Sequence, residues 1–286
     1  MIDLGGRRVL VTGGSRGIGA ECCRRFARAG AAVLVHYQSR EDSATALLAE
    51  LRTLGGMGAP RDPIDASGEG RPAGGAEPAG TEGRASGAGE AAPHLVRRCD
   101  LRDPADVWAM FAYVAAEWGA LDVLVNNAGI WVPNALADFD AAGLDEMLAV
   151  NVSGSFLCAA AALPLLEAAA DGNIVNLTST AGQRGEPGYS SYAASKGAMI
   201  AATRSWAVEL APRVRVNSVA PGWVDTDMTA EALSGPARRE ALAGIPLGRI
   251  ATPDDIAGPV AFLASPLARH ITGEVLSVNG GSVLGG

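Results

Sequence analysis

The chain has 286 residues, 48% of them hydrophobic, which is enough to bury a full core in one large α/β domain or two small ones. A formal net charge of −8 and a pI near 5.0 argue against nucleic acid or an anionic membrane as the main partner, because both require clustered basic charge. A small-molecule substrate is therefore the better expectation.

Signals for export, membrane insertion and metal binding are missing from the sequence. No uninterrupted apolar run approaches the roughly 18 residues that cross a bilayer, and the N-terminus has no basic segment followed by an apolar stretch, so we predict a cytoplasmic protein. The cysteines form no CxxC pair and have no histidine at ligand spacing, which favours reduced structural thiols and predicts no metal site. They are Cys22, Cys23, Cys99 and Cys158.

Short β-branched runs alternate with longer helical stretches along the chain, a pattern typical of a parallel sheet covered by helices on both faces. Seven such runs predict a single α/β domain over residues 1–286, with a seven-stranded, doubly wound Rossmann-type sheet and right-handed crossovers. The predicted strands are Arg8–Thr12, Ala32–Tyr37, His94–Cys99, Asp122–Asn126, Asn173–Thr178, Val214–Val219 and Glu274–Val278.

Segment 57–93 interrupts this pattern. Of its 37 residues, 23 are Gly, Ala or Pro, and its large aliphatic residues are Met57 and Ile64. Such a composition cannot bury enough apolar surface to offset the entropy of ordering. We predict a flexible insertion between the second helix and the third strand, either simply tolerated or with a regulatory or partner-binding role.

The first predicted strand runs directly into a glycine-rich turn, Thr12–Ala20, that opens a helix. Glycines here permit a tight turn and the close approach of a pyrophosphate to backbone N–H groups at the positive end of the helix dipole. Between a first strand and a first helix, such a turn predicts a dinucleotide site. Its cofactor-binding residues would be Gly13, Ser15, Arg16, Gly17, Ile18 and Gly19.

The end of the second strand bears on which dinucleotide is bound. An acidic residue about 20 positions past the glycines would bind the ribose 2′-hydroxyl of NAD, but this region reads His36-Tyr37-Gln38-Ser39-Arg40 with no acid before Glu41. The predicted contacts are therefore Gln38, Ser39 and Arg40, which with Arg16 offer charge and hydrogen bonds to a 2′-phosphate. The sequence favours NADP(H) over NAD(H), although Arg40 as an ordinary solvated surface charge is also compatible with it.

Tyr192 and Lys196 lie four residues apart near the start of a long predicted helix that continues to Glu209, so both face one side of it. A free phenol titrates near ~10, too high for efficient proton exchange at neutral pH, and an adjacent ammonium lowers that pKa. Of the 23 basic side chains, 22 are arginine and Lys196 is the single lysine, which indicates a position where a compact, titratable ammonium is needed.

At these residues the chain resembles the short-chain dehydrogenase/reductase family, through motifs that follow one another in the family's order. The matches are TGxxxGIG at Thr12–Gly19, the Asn-Asn-Ala-Gly turn at Asn126–Gly129, Asn151 in a Val-Asn-Val segment, Ser179 placed 13 residues before Tyr192, YxxxK at Tyr192–Lys196, and the Pro-Gly segment at Pro221–Thr226. The resemblance covers nearly the whole chain except 57–93. It implies an NAD(P)-dependent oxidoreductase that moves a hydride and a proton between cofactor and a carbonyl or alcohol.

The resemblance also implies roles for individual residues. Tyr192 would be the general acid in reduction, Lys196 would lower its pKa and hold the nicotinamide ribose, Ser179 would hydrogen-bond the substrate oxygen, and Asn151 would hold a water that connects Lys196 to solvent. The further cofactor contacts would be Asp100 and Leu101 at the adenine and Asn127, Val224 and Thr226 at the ribose and nicotinamide, with Ala128, Gly129, Pro221 and Gly222 beside them.

Aromatic and Met residues near these motifs have two interpretations that the sequence leaves open. Trp131, Trp223 and Met228 either line a substrate pocket or pack in the core or at an interface. Tyr189 has Ala193 four positions on, so it does not rival Tyr192, and it is expected at most to shape the pocket rim.

Within the family, the C-terminal third most resembles the 3-oxoacyl-(acyl-carrier-protein) reductases, at residues 221–228, 246–249 and 271–281. That resemblance suggests reduction of a β-ketoacyl thioester, but the same segments recur in relatives that act on sugars, steroids and simple ketones. The segment before the predicted fifth strand, Glu167–Gly172, is acidic, so an acidic carrier would meet like charge there, with Arg213 and Arg215 as residues that could offset it.

Two further expectations concern assembly and the competing class of function. The resemblance implies a homotetramer or homodimer with the last two helices and the C-terminal segment at the interface. The rival from another class is a non-catalytic nucleotide-binding sensor, which would be expected to lose the tyrosine or the lysine, whereas this chain keeps Asn151, Ser179, Tyr192 and Lys196.

Overall fold

Seven parallel strands form one sheet, in the order β3-β2-β1-β4-β5-β6-β7, in the computed structural model, which describes residues 2–54 and 92–284. Each predicted strand is confirmed, with ends that differ by at most two residues. The strands are β1 Arg8–Val11, β2 Ala32–Tyr37, β3 Leu95–Arg98, β4 Val123–Asn126, β5 Gly172–Leu177, β6 Val214–Pro221 and β7 Val275–Val278. The predicted Rossmann-type fold is thereby confirmed.

The helices that connect these strands begin and end at recognisable capping residues. Before α3, the Asp103 carboxylate accepts a hydrogen bond from the Ala105 N–H, and Gly119 ends that helix with φ 71°. Thr252 and Asp255 form a capping box at the start of α9. The helices are α1 Gly17–Arg28, α2 Glu41–Leu54, α3 Pro104–Trp118, α4 Ala141–Leu148, α5 Gly154–Glu167, α6 Thr180–Arg184, α7 Ser190–Glu209, α8 Gly235–Ala243 and α9 Pro253–Ala264.

Two hydrophobic cores lie on opposite faces of the sheet. Successive side chains of a strand point to opposite faces, so Val9 and Val11 of β1 enter the first core while Leu10 enters the second. Helices α1, α2 and α9 cover the first core, and α3, α5 and α7 cover the second. Burial on both faces explains why the strands read as nearly continuous apolar runs.

Residues 57–91 of the predicted insertion lie outside the described residues, and residues 92 and 93 lie within them. Its described end is tied to the second core, because the Pro93 carbonyl accepts a 3.1 Å hydrogen bond from Trp118 Nε1. Whether 57–93 forms a tolerated insertion in a single domain therefore remains a prediction from composition.

Within the described residues, one helical stretch, Ala141–Glu167, has the length and mean hydropathy (1.7) of a membrane span. Core helices of soluble proteins share those two properties. The stretch consists of α4, a π-helical turn at Ala149–Ser153, and α5, whose Cys158 and Leu166 are fully buried in the second core.

Candidate active site

The carboxyl ends of the central strands meet at one edge of the sheet, and the predicted site residues follow them there. The glycine-rich turn follows β1, Asn127–Gly129 follow β4, Ser179 follows β5 and Gly222 follows β6. The chain leaves β1 toward β2 and later returns to place β4 on the other side of β1, which makes this edge the topological switch point where such sheets bind ligands.

The glycine-rich turn fits a pyrophosphate group. Gly13 and Gly17 have φ of 62° and 54°, a region that favours glycine. A Cβ at Gly19 would lie 2.3 Å from the Gly13 carbonyl oxygen, so glycine is needed for α1 to begin this close to the turn. The N-cap residue Arg16 makes no side-chain capping bond, which leaves donors in the first turn of α1 available to an anion.

A buried histidine that sequence reasoning overlooked holds this turn. The Gly13 N–H donates to His36 Nδ1 (2.9 Å), and the Gly14 N–H donates to the His36 carbonyl (2.8 Å). Because a backbone N–H can only donate, Nδ1 is the acceptor, so Nε2 carries the proton and donates to the Cys99 carbonyl (2.9 Å). Burial lowers the pKa of His36 to about 4, so the ring is neutral.

The end of β4 is joined to the same turn. Asn127 Nδ2 donates to the carbonyls of Thr12 (2.8 Å) and Gly13 (3.1 Å), and the Thr12 hydroxyl accepts from the Asn127 and Ala128 N–H groups. The Asn127 carboxamide thus holds the end of β4 against the turn that is predicted to bind the dinucleotide. Gly129 lies deeper, where a Cβ would be 3.1 Å from Asn151 Oδ1 and 3.6 Å from Lys196 Nζ.

The residues after β2 present a polar, accessible surface. Gln38, Ser39 and Arg40 are all exposed. Arg98 Nε donates to the Gln38 carbonyl (3.2 Å), a guanidinium that sequence reasoning missed although the pairing of β2 with β3 sets Arg98 opposite Tyr37. The first acid after the strand, Glu41, takes a hydrogen bond with the Tyr37 hydroxyl.

At the end of β3, Asp100 is tied to neighbouring polar groups. Arg102 donates to both of its carboxylate oxygens, with a shortest distance of 2.7 Å, and Gln38 adds a hydrogen bond. The hydrogen bonds from Arg102 hold the pKa of Asp100 at about 2, so the group is ionised. The side chain of Leu101, by contrast, is buried in the second core.

Tyr192 and Lys196 lie on one face of α7, as the spacing predicts. Lys196 Nζ is 5.8 Å from the centroid of the Tyr192 ring and donates a 2.7 Å hydrogen bond to the Leu177 carbonyl at the end of β5. Ser179 is the N-cap of α6, where its Oγ accepts from the Ala181 N–H (3.1 Å), and it also hydrogen-bonds Tyr192. The structure therefore brings these three predicted residues together.

Burial changes the titration of Tyr192 and Lys196. Burial raises the pKa of Tyr192 to about 12, an effect that the hydrogen bond with Ser179 only partly offsets. Burial also lowers the pKa of Lys196 to about 8. Desolvation has the largest effect on the Tyr192 pKa, so the lowering of this pKa by Lys196 stays a prediction.

Asn151 lies at the π-helical turn between α4 and α5 and is 1% exposed. Its Oδ1 accepts from the Ile130 N–H (2.8 Å), and its Nδ2 lies within hydrogen-bond distance of the Ile130 carbonyl and of Ser195 Oγ (both 3.0 Å). The carboxamide thus joins the loop after β4 to α7 beside Lys196. The water predicted for Asn151 remains a prediction, since these contacts all lie within the protein.

Comparison with known proteins decides the family. Residues 7–62 match the family model described as short chain dehydrogenase, and residues 76–282 match the model described as enoyl-(acyl carrier protein) reductase. A 3-oxoacyl-(acyl-carrier-protein) reductase FabG of Staphylococcus aureus is 36% identical over 276 residues, covering 96% of this chain and 97% of the relative. The chain belongs to the short-chain dehydrogenase/reductase family.

Other similar proteins span several substrate types. A 3α-hydroxysteroid dehydrogenase of Mediterraneibacter gnavus is 35% identical over 272 residues, 95% of this chain and 94% of the relative. The crystal structure of a short-chain dehydrogenase/reductase, a glucose/ribitol dehydrogenase from Brucella melitensis, has a TM-score of 0.82 at 30% identity and covers 99% of both chains. The family makes this chain an oxidoreductase and implies a nicotinamide dinucleotide as its redox cofactor.

In this short-chain dehydrogenase/reductase, Ser179 and Tyr192 line one wall of a cleft with about 480 Å³ of empty space. Trp131, Trp223 and Met228 line it too, and Trp223 also packs against a small apolar cluster of Leu233, Ile245 and Ile250. Tyr189 stacks on the Trp131 ring with centroids 4.4 Å apart, and the Trp223 ring meets Trp131 edge to face at 6.0 Å. The cleft therefore joins a polar, proton-donating wall to an aromatic one.

One carboxylate in this cleft has no counterpart in the predictions. Glu186 lines the cleft, and the Trp131 side chain and Arg184 lie close enough to it to act on its pKa. Burial raises the pKa of Glu186, and its charge in turn raises the pKa of Tyr192. No pattern in the sequence marks Glu186, because the residue lies in a short loop between α6 and α7 and meets Trp131 only through the tertiary fold.

The Pro-Gly segment after β6 closes the site from the other side. A Cβ at Gly222 would lie 2.9 Å from Asn279 Cβ, and Thr226 Cγ2 is 3.5 Å from the position of a Cβ at Gly17, which puts Thr226 beside the glycine turn. Val224 is buried in the first core, and Pro221 at the end of β6 is also buried. A second cavity of about 500 Å³ adjoins this segment, and Trp223 lines it as well as the first.

The charged residues around the start of β5 correct the expectation that Arg215 could help to bind an acidic carrier protein. Arg215 is 9% exposed, donates to the Leu263 and Ala268 carbonyls (both 3.0 Å) and pairs with Asp171 (3.3 Å), so it cannot serve an outside partner. Asp171 also pairs with Arg7 at 3.4 Å, which compensates part of the acidic charge predicted there. Arg213 remains exposed.

In the part of the chain that the structure describes, metal-ligating and thiol side chains do not form a second functional site. No group of three or more His, Cys, Asp or Glu side chains there is arranged to hold a metal ion. Cys22, Cys23, Cys99 and Cys158 are all free and buried, consistent with structural thiols. Burial raises the pKa of the Cys22 and Cys99 thiols to about 12, so they stay protonated at neutral pH.

Proposed function

We propose that this chain is an NADP(H)-dependent reductase that interconverts a ketone and a secondary alcohol, with a 3-oxoacyl thioester as the favoured substrate. The observation that carries the proposal is the meeting of the Tyr192 phenol and the Ser179 hydroxyl in one wall of the cleft, with the Lys196 ammonium behind them. A carbonyl oxygen placed in that wall is within reach of two hydroxyl donors.

Each side chain has a role that its local chemistry supports. The phenol of Tyr192 keeps its proton at neutral pH because burial raises its pKa, so it can donate that proton to the oxygen of a carbonyl being reduced. The Ser179 Oγ accepts from the Ala181 N–H, and its O–H, which lies beside Tyr192, would turn to the substrate oxygen to orient it. Lys196, charged below about its pKa of 8, stabilises the phenolate that proton donation leaves behind.

The chain's own residues would hold the cofactor along the carboxyl edge of the sheet. The glycine turn with Ser15, Ile18 and the first turn of α1 would take the pyrophosphate, and Lys196 would hold the nicotinamide ribose beside Asn127–Gly129. When bound, the nicotinamide supplies or accepts the hydride. Asn151 lies next to Lys196, and its contacts with Ile130 and Ser195 support a role in holding the loop after β4.

The preference for NADP(H) is supported by charge at the end of β2. Arg40 is exposed and Arg16 is half-exposed, so both offer guanidinium groups to a phosphate. A third guanidinium, that of Arg98, lies against Gln38. The nearest acid, Glu41, interacts with Tyr37. Arg16 lies 4.0 Å from Asp227, an exposed and weak ion pair that a phosphate can replace.

We expect NADPH to bind at least about tenfold more tightly than NADH, because the 2′-phosphate gains charge-assisted hydrogen bonds that the hydroxyl of NADH lacks. Fluorescence titration of the two reduced cofactors measures this ratio. Arg40→Ala should weaken NADPH and leave NADH unchanged, with exposed Arg269→Ala as the control. Equal affinities of the wild type for both cofactors would refute the preference.

The choice of substrate is supported by the 3-oxoacyl-(acyl-carrier-protein) reductases among the relatives and by the C-terminal segments that resemble them. The steroid dehydrogenase at 35% identity makes a cyclic alcohol the second candidate, and the aromatic wall of Trp131 and Trp223 favours it as a surface for an apolar ring. An assay of NADPH consumption with β-ketoesters, thioesters and ring ketones separates the two.

Replacing Tyr192 tests the catalytic proposal directly. We expect Tyr192→Phe to lower kcat by at least about 100-fold while the Kd for NADPH stays within about twofold, because the proton donor is lost and the ring is kept. Tyr113→Phe, at a ring on α3 that contacts Arg97, is the matched control and should keep full turnover. Substantial activity in Tyr192→Phe would exclude it as the proton donor. No turnover by the wild type despite tight NADPH binding would support the sensor instead.

We also propose a homo-oligomer in the cytoplasm. Large apolar side chains are exposed on described surfaces near the C-terminal end, including Leu247 (71%) and Leu267 (65%), and on α7, where Val208 is 83% exposed. Such residues are costly to leave in water and are typical of subunit interfaces. Light scattering of the purified protein gives the number of subunits.

A further inference from the structure

We propose that Glu186 selects the substrate, favouring molecules that carry a hydrogen-bond donor and no negative charge on the side of the reacting carbonyl that faces Trp131. The inference rests on the proposed function, since it concerns what the same cleft accepts besides a carbonyl. Hydroxylated ketones and amide-bearing thioesters meet this description, and free 3-oxo acids do not.

Geometry gives Glu186 access to the substrate. The residue lines the cleft together with Ser179 and Tyr192, and it is half-buried rather than fully solvated. Gly185 (φ 81°) and Gly188 (φ 78°) flank it in a turn, where the Tyr189 N–H donates to the Glu186 carbonyl (3.1 Å) and the Asn134 N–H donates to the Gly188 carbonyl (2.9 Å). The Gly185 N–H also donates to the Ala181 carbonyl (2.8 Å), so the backbone that carries the carboxylate is held on both sides of Glu186.

The Trp131 side chain lies beside the carboxylate. Its ring acts to lower the pKa of Glu186, and the ring itself is held by the stacked Tyr189 ring on one side and the edge contact with Trp223. A carboxylate has about four acceptor positions, so positions remain for a substrate donor even with the tryptophan nearby. A fixed acceptor in a partly desolvated cleft rewards a matching hydroxyl or N–H and penalises a group that cannot donate.

Charge decides what the cleft rejects. The other charged residue of its lining is Arg184, which is exposed, whereas Glu186 lies close enough to Tyr192 to affect its titration. An anionic substrate group beside the reacting carbonyl would face the carboxylate at close range and in lower dielectric than water. Discrimination therefore comes from repulsion as well as from the hydrogen bond.

Three substrates with the same 3-oxobutanoyl unit test the inference. Ethyl acetoacetate is neutral without a donor, acetoacetate is anionic, and the acetoacetyl thioester of N-acetylcysteamine is neutral with an amide N–H. We expect the ratio of kcat/KM for ethyl acetoacetate over acetoacetate to fall at least about fivefold in Glu186→Gln, since the variant keeps the shape and removes the charge. The advantage of the thioester over the ester should shrink in Glu186→Ala.

The matched control is Glu231→Gln, an exposed carboxylate that also acts on Tyr189 through its charge but does not line the cleft. It should leave both ratios as in the wild type. An unchanged ratio in Glu186→Gln, or an equal change in Glu231→Gln, overturns the assignment while leaving the proposed reaction intact. Failure of the wild type to reduce any of the three compounds overturns the proposed function itself.

A measurement on the wild type keeps the inference testable if Glu186→Gln folds poorly. Added salt screens charge repulsion, so the preference for ethyl acetoacetate over acetoacetate should decrease as ionic strength rises. Effects of salt on cofactor binding are common to both substrates and cancel in the ratio. A ratio that does not respond to salt would contradict a role for the carboxylate charge.

Discussion

At the scale of single residues, His36 shows how a buried side chain can serve the cofactor site without touching the chemistry. Its neutral ring accepts from Gly13 and donates to Cys99, so one imidazole connects the glycine turn to the end of β3. Protonation at Nδ1 would set a second N–H against the Gly13 N–H and break that connection. The fold therefore requires the uncharged form.

This requirement predicts how stability depends on pH. The His36 pKa is about 4 in the folded chain and 6.5 as the ordinary value, so between these values the unfolded chain binds a proton that the folded one does not. The free energy of unfolding should therefore fall as pH is lowered from about 6.5 to about 4, by up to about 3 kcal/mol from this residue. The charges of Asp106 and Asp100 act in the opposite direction and are already included in that pKa.

Urea unfolding at about pH 7 and about pH 5 measures the effect, with His36→Asn as the variant that cannot titrate. The stability lost between the two pH values should be smaller in His36→Asn than in the wild type. His270→Asn, at an exposed histidine, should retain the wild-type loss. Identical pH dependence in the wild type and His36→Asn would show that the ring does not resist protonation.

At the scale of elements, α1 and the glycine turn are packed so closely that one residue type fits between them. A Cβ at Gly19 would lie 2.3 Å from the Gly13 oxygen and 2.5 Å from Asn127 Nδ2. Both of those atoms already hydrogen-bond to each other, at 3.1 Å. Room for an alanine can therefore be made only by moving the first turn of the helix away from β4.

We expect Gly19→Ala to lower the free energy of unfolding by about 1–3 kcal/mol and to weaken NADPH binding, because the overpacked contact displaces backbone that faces the pyrophosphate. Gly244→Ala is the matched control. It makes the same change at the C-cap of α8, where φ is −87° and the nearest atom is 3.6 Å from the new Cβ, so stability should stay within about 1 kcal/mol of the wild type. Thermal and urea unfolding give the signs; equal stability of Gly19→Ala and the wild type would contradict the packing argument.

At the scale of the whole molecule, most of the fold could be predicted from the sequence, because buried parallel strands leave a local signal. The run Ala32–Val35 is apolar throughout and is bounded by Gly30 on one side and by polar residues from His36 onward on the other. Tyr192 and Lys196 could also be found locally, since their spacing on one helix fixes their shared face. The strand ends were less certain, as the extension of β6 to Pro221 shows.

What the sequence could not show depends on contacts between distant segments. Glu186 is relevant to the cleft because the fold brings it to Trp131. Arg98 is relevant to the residues after β2 because β3 pairs with β2. Arg215 looked available to a partner but is buried beneath α9 carbonyls, and desolvation has the largest effect on the Tyr192 pKa. Burial is a property of the completed fold, so a pattern of residue types does not reveal it.

The indole of Trp223 is a partition shared by two empty spaces, one beside the reacting hydroxyls and one beneath Leu247 and Val278. A smaller side chain in place of Trp223 would therefore join the two spaces into a longer cleft, at a position that takes no part in the proposed proton transfer. Variants with a smaller side chain at position 223 could accept bulkier or longer substrates without any change in the residues proposed to carry out the reduction.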